Sequence, residues 1–585
     1  MSTPTLLRPD YATGGSTIDP SPQGAREVVL DYARRVFERQ RVPLPPAGFQ
    51  VDWSDQPSRH KLYLDTPKLP LPPPFEDIAS VTVPTALANA QAEATLAPMP
   101  GGQLLASVLG CYGLIDRRLN LNWNEDSTRK LQAHNAVWSR PTASGGGMYP
   151  VESYLIADHR GPLPTGVYHY DTAHHSLDRL SVRHRCDALA AATGVAAGLY
   201  LVATVRLWKN AFKYNSFSYH VVIQDIGALL ASWRLVLGAS GVAVQPVLWF
   251  DEAAVSAVVG VDGYTEAPFV VVPLGPTAPH ASSAGPPDWR FAPDAARQQR
   301  WQVWERSRRV RDFELVQRVH AAALVGDRPR PDPGVSALGA AHASVPSCDG
   351  NIGTVALPAS APATHDLDLG ASLRKRRSSF GLFSSRPALT LEDLGWVLTA
   401  AGRIGCCGTD VAPATRSDPW VRLWVVPNNV VGLEPRAYAY DPNSHRLCGG
   451  PPVEVSSLQR HYTLINYNLR EVAAILVVTG RLDPLVAGYG APGYRMLGVE
   501  VGQAAQGCYV AATARGLGVG AVLGIDNLAI DDLLGISRTD ERSLLFLLLG
   551  HERADLTGYH HALYRSVGNR QVSQVSQVSP VGANR

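Results

Sequence analysis

Lys213 and Tyr214 stand side by side among aromatic residues (Trp208, Phe212, Phe217, Tyr219) in RLWKNAFKYNSFSY, residues 206–219. A lysine desolvated by such neighbours binds its proton less tightly, and an amine adjusted this way can act as a base near neutral pH. The alternative for the same residues is a lysine that snorkels from an amphipathic surface. Two other stretches carry groups suited to binding. LRKRRSSFGLF (373–383) sets Arg376, Arg377, Ser378 and Ser379 in succession. Guanidinium forks beside hydroxyls at a helix start suit the oxygens of a phosphate monoester. PTASGGGMYP (141–150) puts Pro141, Ser144, Gly145 and Gly146 in a turn whose amides can approach a planar ligand, because no Cβ intervenes. Taken singly, the basic run also reads as solvated surface and the glycine turn as a loop.

The elements that must position these groups occur twice. Ser218–Gly275 lies over Gly493–Gly550 without a gap, matching Tyr219 to Tyr494, Gly227 to Gly502, Asp251 to Asp526, Gly260 to Gly535 and Glu266 to Glu541. Upstream, YHYDTAHHSL (168–177) lies over YAYDPNSHRL (438–447). A repeat of this length is a tandem duplication. The copies differ where the chemistry lies: Lys213 aligns with Gly488, the glycine turn with APATRSDPWVR (412–422), and the arginine–serine run has no counterpart in the first copy. Complementary loss of this kind fits one ligand held between two related units, each supplying a different part.

The remaining text sets the organisation. Residues 1–80 read as an arm whose first ~20 residues are loose, followed by an amphipathic helix over 26–40 with Val29, Tyr32, Ala33, Val36 and Phe37 on one stripe. Units at 81–276 and 366–553 are joined by an irregular connector, 277–365, with one charged helix over 294–324. A tail, 554–585, ends in the low-complexity VSQVSQVSP. Strands are expected at 151–158, 166–180, 199–205 and 269–274, and a long helix at 219–237. A net charge of +2 offers no footprint for nucleic acid or an acidic membrane. Seven scattered cysteines form no zinc pattern and read as reduced thiols in cytoplasm, with no metal site. No uncharged apolar run approaches the ~20 residues of a membrane span.

RRSS (376–379), PTASGGGMYP, AVLGID (521–526) and AFKYNSFSY (211–219) together resemble the FMN-dependent nitroreductase-like fold. Within it they resemble the streptolysin-S-type dehydrogenases that oxidise thiazolines and oxazolines in ribosomally made peptides. The resemblance covers roughly 100–275 and 366–552. It implies an α+β chain of two nitroreductase-like α/β/α domains fused as an intramolecular pseudo-dimer. It also implies one FMN: Arg376, Arg377, Ser378 and Ser379 at its phosphate, Val522, Leu523 and Gly524 at the flavin edge, and Pro141, Ser144, Gly145 and Gly146 supplied by the other unit. Lys213 would be the general base and Tyr214 its hydrogen-bonding orienter. The substrate implied is a modified precursor peptide, with a cyclodehydratase as a possible partner. This chain departs from the family at Phe380, where a further arginine is usual, and at Phe217 and His220, near which arginines usually follow the Lys–Tyr pair. Two other readings stand beside it: an NAD(P)H-dependent reductase of nitro, quinone or flavin acceptors on the same fold, and a flavin-free scaffold in a peptide-modifying complex.

Overall fold

The computed structural model describes residues 21–91, 98–121, 134–280, 301–331, 353–359, 366–412, 419–553 and 560–564. The first twenty residues, most of the low-complexity tail and the 413–418 part of the aligned turn lie outside that set. Two antiparallel sheets dominate. In the first, strands run in the order Glu266–Leu274, Leu199–Arg206, Val151–Ala157, Gly166–Asp171, Ser176–Ser181 and Lys68–Pro70. In the second, the order is Val355–Ala356, Arg446–Pro452, Arg436–Asp441, Val421–Pro427, Ala474–Arg481, Glu541–Glu552 and Phe383–Ser384, with Gly518–Val522 also on Glu541–Glu552. The central five strands correspond one to one. LYLVATVR and AILVVTGR are buried along nearly their whole length, as continuous β-branched and leucine-rich runs are when both sheet faces are covered.

The helices repeat in the same register. Leu207–Tyr214 and Ser218–Ala239 in the first lobe match Leu482–Tyr489 and Pro492–Ala514 in the second. Asp251 and Asp526 each cap the next helix with a carboxylate, and Gly260 and Gly535 end those helices in the left-handed region at φ 80° and 76°. The two long helices cross where glycine removes the side chain from both. A Cβ on Gly227 would stand 2.0 Å from Val499 O, and one on Gly502 would stand 1.9 Å from Gln224 O. Because Gln224 and Val499 are themselves register partners, the contact is reciprocal, as a pseudo-two-fold axis requires. The stretch Leu207–Ala239 contains a window apolar and long enough to cross a membrane by composition, and that window is buried inside the fold.

The arm helix spans Pro22–Glu38 and buries the expected stripe, Val29, Tyr32, Ala33, Val36 and Phe37. Three expectations are corrected. Within the connector only Glu314–Ala322 is helical among the described residues. Val303–Trp304 instead pairs with Leu62–Tyr63, and Glu305 accepts from Ser58 N at 2.7 Å, so these polar residues find partners in an extended chain. Cys448 is disulfide-bonded, which a reading of seven reduced thiols missed. The C-terminal segment is not all tail, since His560–Ala562 adds a strand to Asp116–Leu121.

Candidate functional site

Leu207–Tyr214 starts where the strand Leu199–Arg206 leaves the sheet, and it ends at Asn215, whose φ of 43° turns the chain into the long helix. The twin position is Gly490 at φ 69°, so both copies need an unusual backbone there. This short helix holds Lys213 against the glycine turn. Lys213 Nζ donates to Gly146 O at 3.1 Å. Gly146 itself has φ 60°, and a Cβ there would lie 2.3 Å from the Tyr214 hydroxyl and 2.6 Å from Lys213 Nζ. The sequence therefore needs glycine at this spot twice over, for its backbone angle and for the space taken by the Lys–Tyr pair.

Burial holds the Lys213 ammonium below its ordinary pKa. Its aromatic neighbours are Trp53, with the ring centroid 6.0 Å from Nζ, and Tyr214 at 5.3 Å. Trp208, expected beside the amine, packs edge-on against Phe212 at 5.6 Å, and Phe217 packs edge-on against Tyr214 at 6.2 Å. Trp53 packs edge-on against Phe212 at 5.5 Å and comes from the arm, where no periodicity marked it. Tyr214 does not orient Lys213 through a hydrogen bond, as the resemblance implied: the lysine's bond goes to the Gly146 carbonyl, and burial raises the phenol's pKa.

The turn is anchored from below by the long helix. Asp225 accepts from Gly145 N at 2.8 Å and from Ser144 Oγ at 2.7 Å, and Ser144 Oγ accepts from Tyr149 N at 2.9 Å. Burial pushes the Asp225 carboxyl up to about 7, against the pull of these two donors. From the other lobe, Arg376 donates through Nε to Pro141 O at 2.6 Å and through Nη2 to Arg140 O at 2.9 Å. Gln506, also from the second lobe, accepts from Ala143 N at 3.1 Å and donates to Pro141 O at 3.2 Å. The structure thus brings Lys213, Pro141, Ser144, Gly145, Gly146 and Arg376 into one bonded constellation built from both lobes, with the Tyr214 hydroxyl packed against Gly146.

Ser378 and Ser379 lie along the strand Gly518–Val522. Ser379 N donates to Val519 O at 3.0 Å, and Ser378 Oγ meets the Tyr509 hydroxyl at 2.9 Å, which in turn accepts from Ala521 N at 2.8 Å. Arg377 points elsewhere and pairs with Glu552 at 2.5 Å. Arg118, which sequence reasoning passed over, donates to the carbonyls of Arg374, Lys375 and Arg376 at 2.6, 2.9 and 3.1 Å and so fixes the basic run from the first lobe. Val522 closes the strand, and beyond it the N–H groups of Leu523 and Gly524 donate to no atom among the described residues. Gly524 O accepts from Thr463 N at 2.8 Å, so the segment is held by its carbonyl while its amides stay open.

These residues fit a planar group bearing a phosphate. Arg376 keeps Nη1 unengaged among the described residues, hydroxyls stand beside it, and two open amides wait at the far end of the segment. Asp158, His184 and Cys186 lie within 4.8 Å of one another and could in principle hold a metal. Arg160 already bonds Asp158 at 2.7 Å, however, and burial pushes the Cys186 thiol up to about 12.

A mixed α+β chain with two related sheets, in which a glycine turn from one lobe meets an arginine from the other, has the nitroreductase fold. Residues 373–551 match the Nitroreductase family. A relative from Methanocaldococcus jannaschii, designated a nitroreductase, is 29% identical over 192 residues, covering 33% of this chain and 94% of its own length. The trifolitoxin-processing protein TfxB of Rhizobium leguminosarum bv. trifolii is 26% identical over 163 residues, 26% of this chain, which spans only 44% of that relative. Among solved structures, a protein from Anabaena variabilis designated a nitroreductase superposes with a TM-score of 0.63 at 21% identity, covering 90% of this chain and 99% of its own. That likeness extends the fold beyond 373–551 to nearly the whole chain.

Proposed function

We propose that this chain is an FMN-dependent oxidoreductase that dehydrogenates thiazoline or oxazoline rings carried on a peptide, giving thiazoles or oxazoles. The observation that carries the reading is Lys213. It is a half-buried amine of lowered proton affinity, bonded to the carbonyl of a glycine turn that Arg376 ties to the opposite lobe. An azoline becomes aromatic when it loses a proton from its α-carbon and a hydride from the neighbouring ring carbon. A bound flavin supplies the hydride acceptor. Lys213 takes the proton onto Nζ, and the Gly146 carbonyl, with Trp53 and Tyr214 on either side, keeps the amine aimed and partly dry. Arg376 and Ser378 would hold the phosphate, Arg377 being taken up by Glu552, and Val522–Gly524 would meet the ring edge.

The similarity to a protein named for processing trifolitoxin favours a peptide substrate over a free nitro compound. In this reading the units are 81–276 and 366–553, the enzyme works in cytoplasm on a modified precursor peptide, and a cyclodehydratase supplies the azolines. The test is to incubate FMN-loaded protein with an azoline-bearing peptide and follow loss of two hydrogens per ring by mass spectrometry. Conversion that disappears in Lys213→Ala while flavin remains bound supports the assignment. Protein that leaves every ring intact yet reduces nitro or quinone acceptors with NAD(P)H would instead be a reductase.

A further inference from the structure

The flavin-edge segment has a twin, and the arginine behind each copy comes from a different part of the chain. At the first-lobe copy, Arg495 Nη2 from the second lobe's long helix donates to Leu248 O at 3.2 Å and to Glu252 Oε1 at 2.9 Å. Leu248 and Glu252 are the register partners of Leu523 and Asn527. By the pseudo-two-fold, the partner of Arg495 is His220, which burial holds down at about pKa 3 and which meets Tyr494 OH at 2.7 Å. A histidine in that state brings no charge to the second-lobe segment. Arg39, the residue after the arm helix, takes the place instead. It donates through Nη2 to Leu523 O, through Nη1 to Asn527 Oδ1 at 2.6 Å and Val36 O at 2.7 Å, and lies over the Phe217 ring at 4.6 Å.

The two arginines thus grip equivalent atoms, with one difference in charge. Arg495 is paired with the Glu252 carboxylate. Arg39 faces carbonyls and the neutral Asn527 amide, and no carboxylate lies within 4 Å of it among the described residues. Glu38, the nearest in sequence, pairs with Arg34 at 2.8 Å, and Asp526, whose charge reaches Arg39 only at longer range, caps the helix Asn527–Leu534 and faces Arg41 at 3.9 Å. Burial lowers Arg39 only to about 10, so it stays cationic at neutral pH.

Building on the flavin reading above, we propose that Arg39 is a positioning residue for that site. It fixes the Leu523–Gly524 peptide by its carbonyl, which in a trans peptide turns the Gly524 N–H the opposite way, toward the ligand. It also sets an unpaired positive charge behind those amides, favouring negative charge gained by the bound flavin on reduction. Arg39 thereby stands in for the arginine that this chain lacks at position 220.

The midpoint potential of the FMN-loaded full chain, followed by absorbance during reductive titration, reads this out without turnover. Arg39→Met should shift the potential to more negative values, and Arg39→Lys should hold it near wild type. Asn527→Glu, which copies the twin's pairing and leaves Arg39 in place, should shift it in the same direction as Arg39→Met. If Arg39→Met does not hold flavin, the other two variants still carry the comparison. Equal potentials in wild type, Arg39→Met and Asn527→Glu overturn this inference and leave the flavin reading standing. A wild-type chain that takes up no FMN overturns both.

Discussion

The segments Pro246–Trp249 and Ala521–Gly524 descend from one ancestor and now do opposite things. In the second lobe the amides of Leu523 and Gly524 are open. In the first, their partners Leu248 N and Trp249 N donate to Asp410 Oδ1 at 2.7 Å and Oδ2 at 3.1 Å, and Arg330 closes on the same carboxylate at 3.2 Å. The loop carrying Asp410 belongs to the lobe that has lost the glycine turn, and Trp249 fills the gap further by packing on Tyr489, the twin of Tyr214, at 6.4 Å. A buried amide left without an acceptor costs roughly 1–3 kcal/mol. A pocket that no longer binds its ligand therefore gains stability by closing on its own donors, whereas a pocket in use must leave them free. Under the one-flavin reading proposed above, the contrast gives a physical reason for a duplicated chain to keep one site, and each variant below tests it.

The largest effect is expected at Lys213. Lys213→Ala should lower azoline oxidation by about 10²–10⁴, the range for loss of a general base, with flavin content unchanged. Adding Gly488→Lys should restore nothing, because the twin turn lacks the glycines. Rescue by that second change would mean the two sites are interchangeable. Next comes Arg376→Met, which removes the donor shared by Arg140 O and Pro141 O and the cation over the Tyr509 ring at 5.1 Å. It should cost several kcal/mol of flavin affinity, on the order of 3–5 for a buried charged anchor, read as flavin lost on desalting. Retention at the wild-type level would remove Arg376 from the phosphate end. Asp410→Ala frees two buried amides, at roughly 2–6 kcal/mol of stability for the pair, and should leave flavin at one per chain. Two flavins bound to this variant would show that the plug alone had kept the twin site shut.

Much of this was legible in the sequence because periodicity and register survive duplication. The gapless alignment of Ser218–Gly275 with Gly493–Gly550 pointed to two related units, though not to the crossing of their helices at Gly227 and Gly502, and RRSS and PTASGGG pointed to a site shared between lobes. The residues that escaped are those whose role depends on a long-range meeting. Arg39, Trp53, Arg118 and Asp410 lie in an arm, a strand edge and a loop, where no spacing distinguishes them from surface polar or aromatic residues. Their partners are hundreds of positions away, Leu523 for Arg39 and Arg376 for Arg118. The connector misled for a related reason. Its charged composition suits a solvated helix, but Glu305 and Arg206 pair at 2.5 Å and hold that stretch extended against the first sheet.

The smallest effect concerns the carboxylates that anchor the two turns. Asp225 and Glu500 are register partners. Glu500 accepts from Trp420 N at 2.6 Å and Val421 N at 3.2 Å, backbone donors at the start of a strand. Asp225 accepts from the Ser144 hydroxyl and Gly145 N, and burial raises its carboxyl to about 7 from a reference of 3.8. A raised acid pKa means the folded chain binds this proton more tightly than the unfolded chain does. The contribution is therefore full below about pH 4 and is lost as pH rises through 7. From pH 5 to 8 the wild type should lose about 2–3 kcal/mol through this one group, and Asp225→Asn, which has no proton to give up, should lose that much less. Thermal unfolding of both proteins at the two pH values measures the difference. Parallel pH profiles would mean that Asp225 stays ionised in the fold, held by its two donors against the cost of burial.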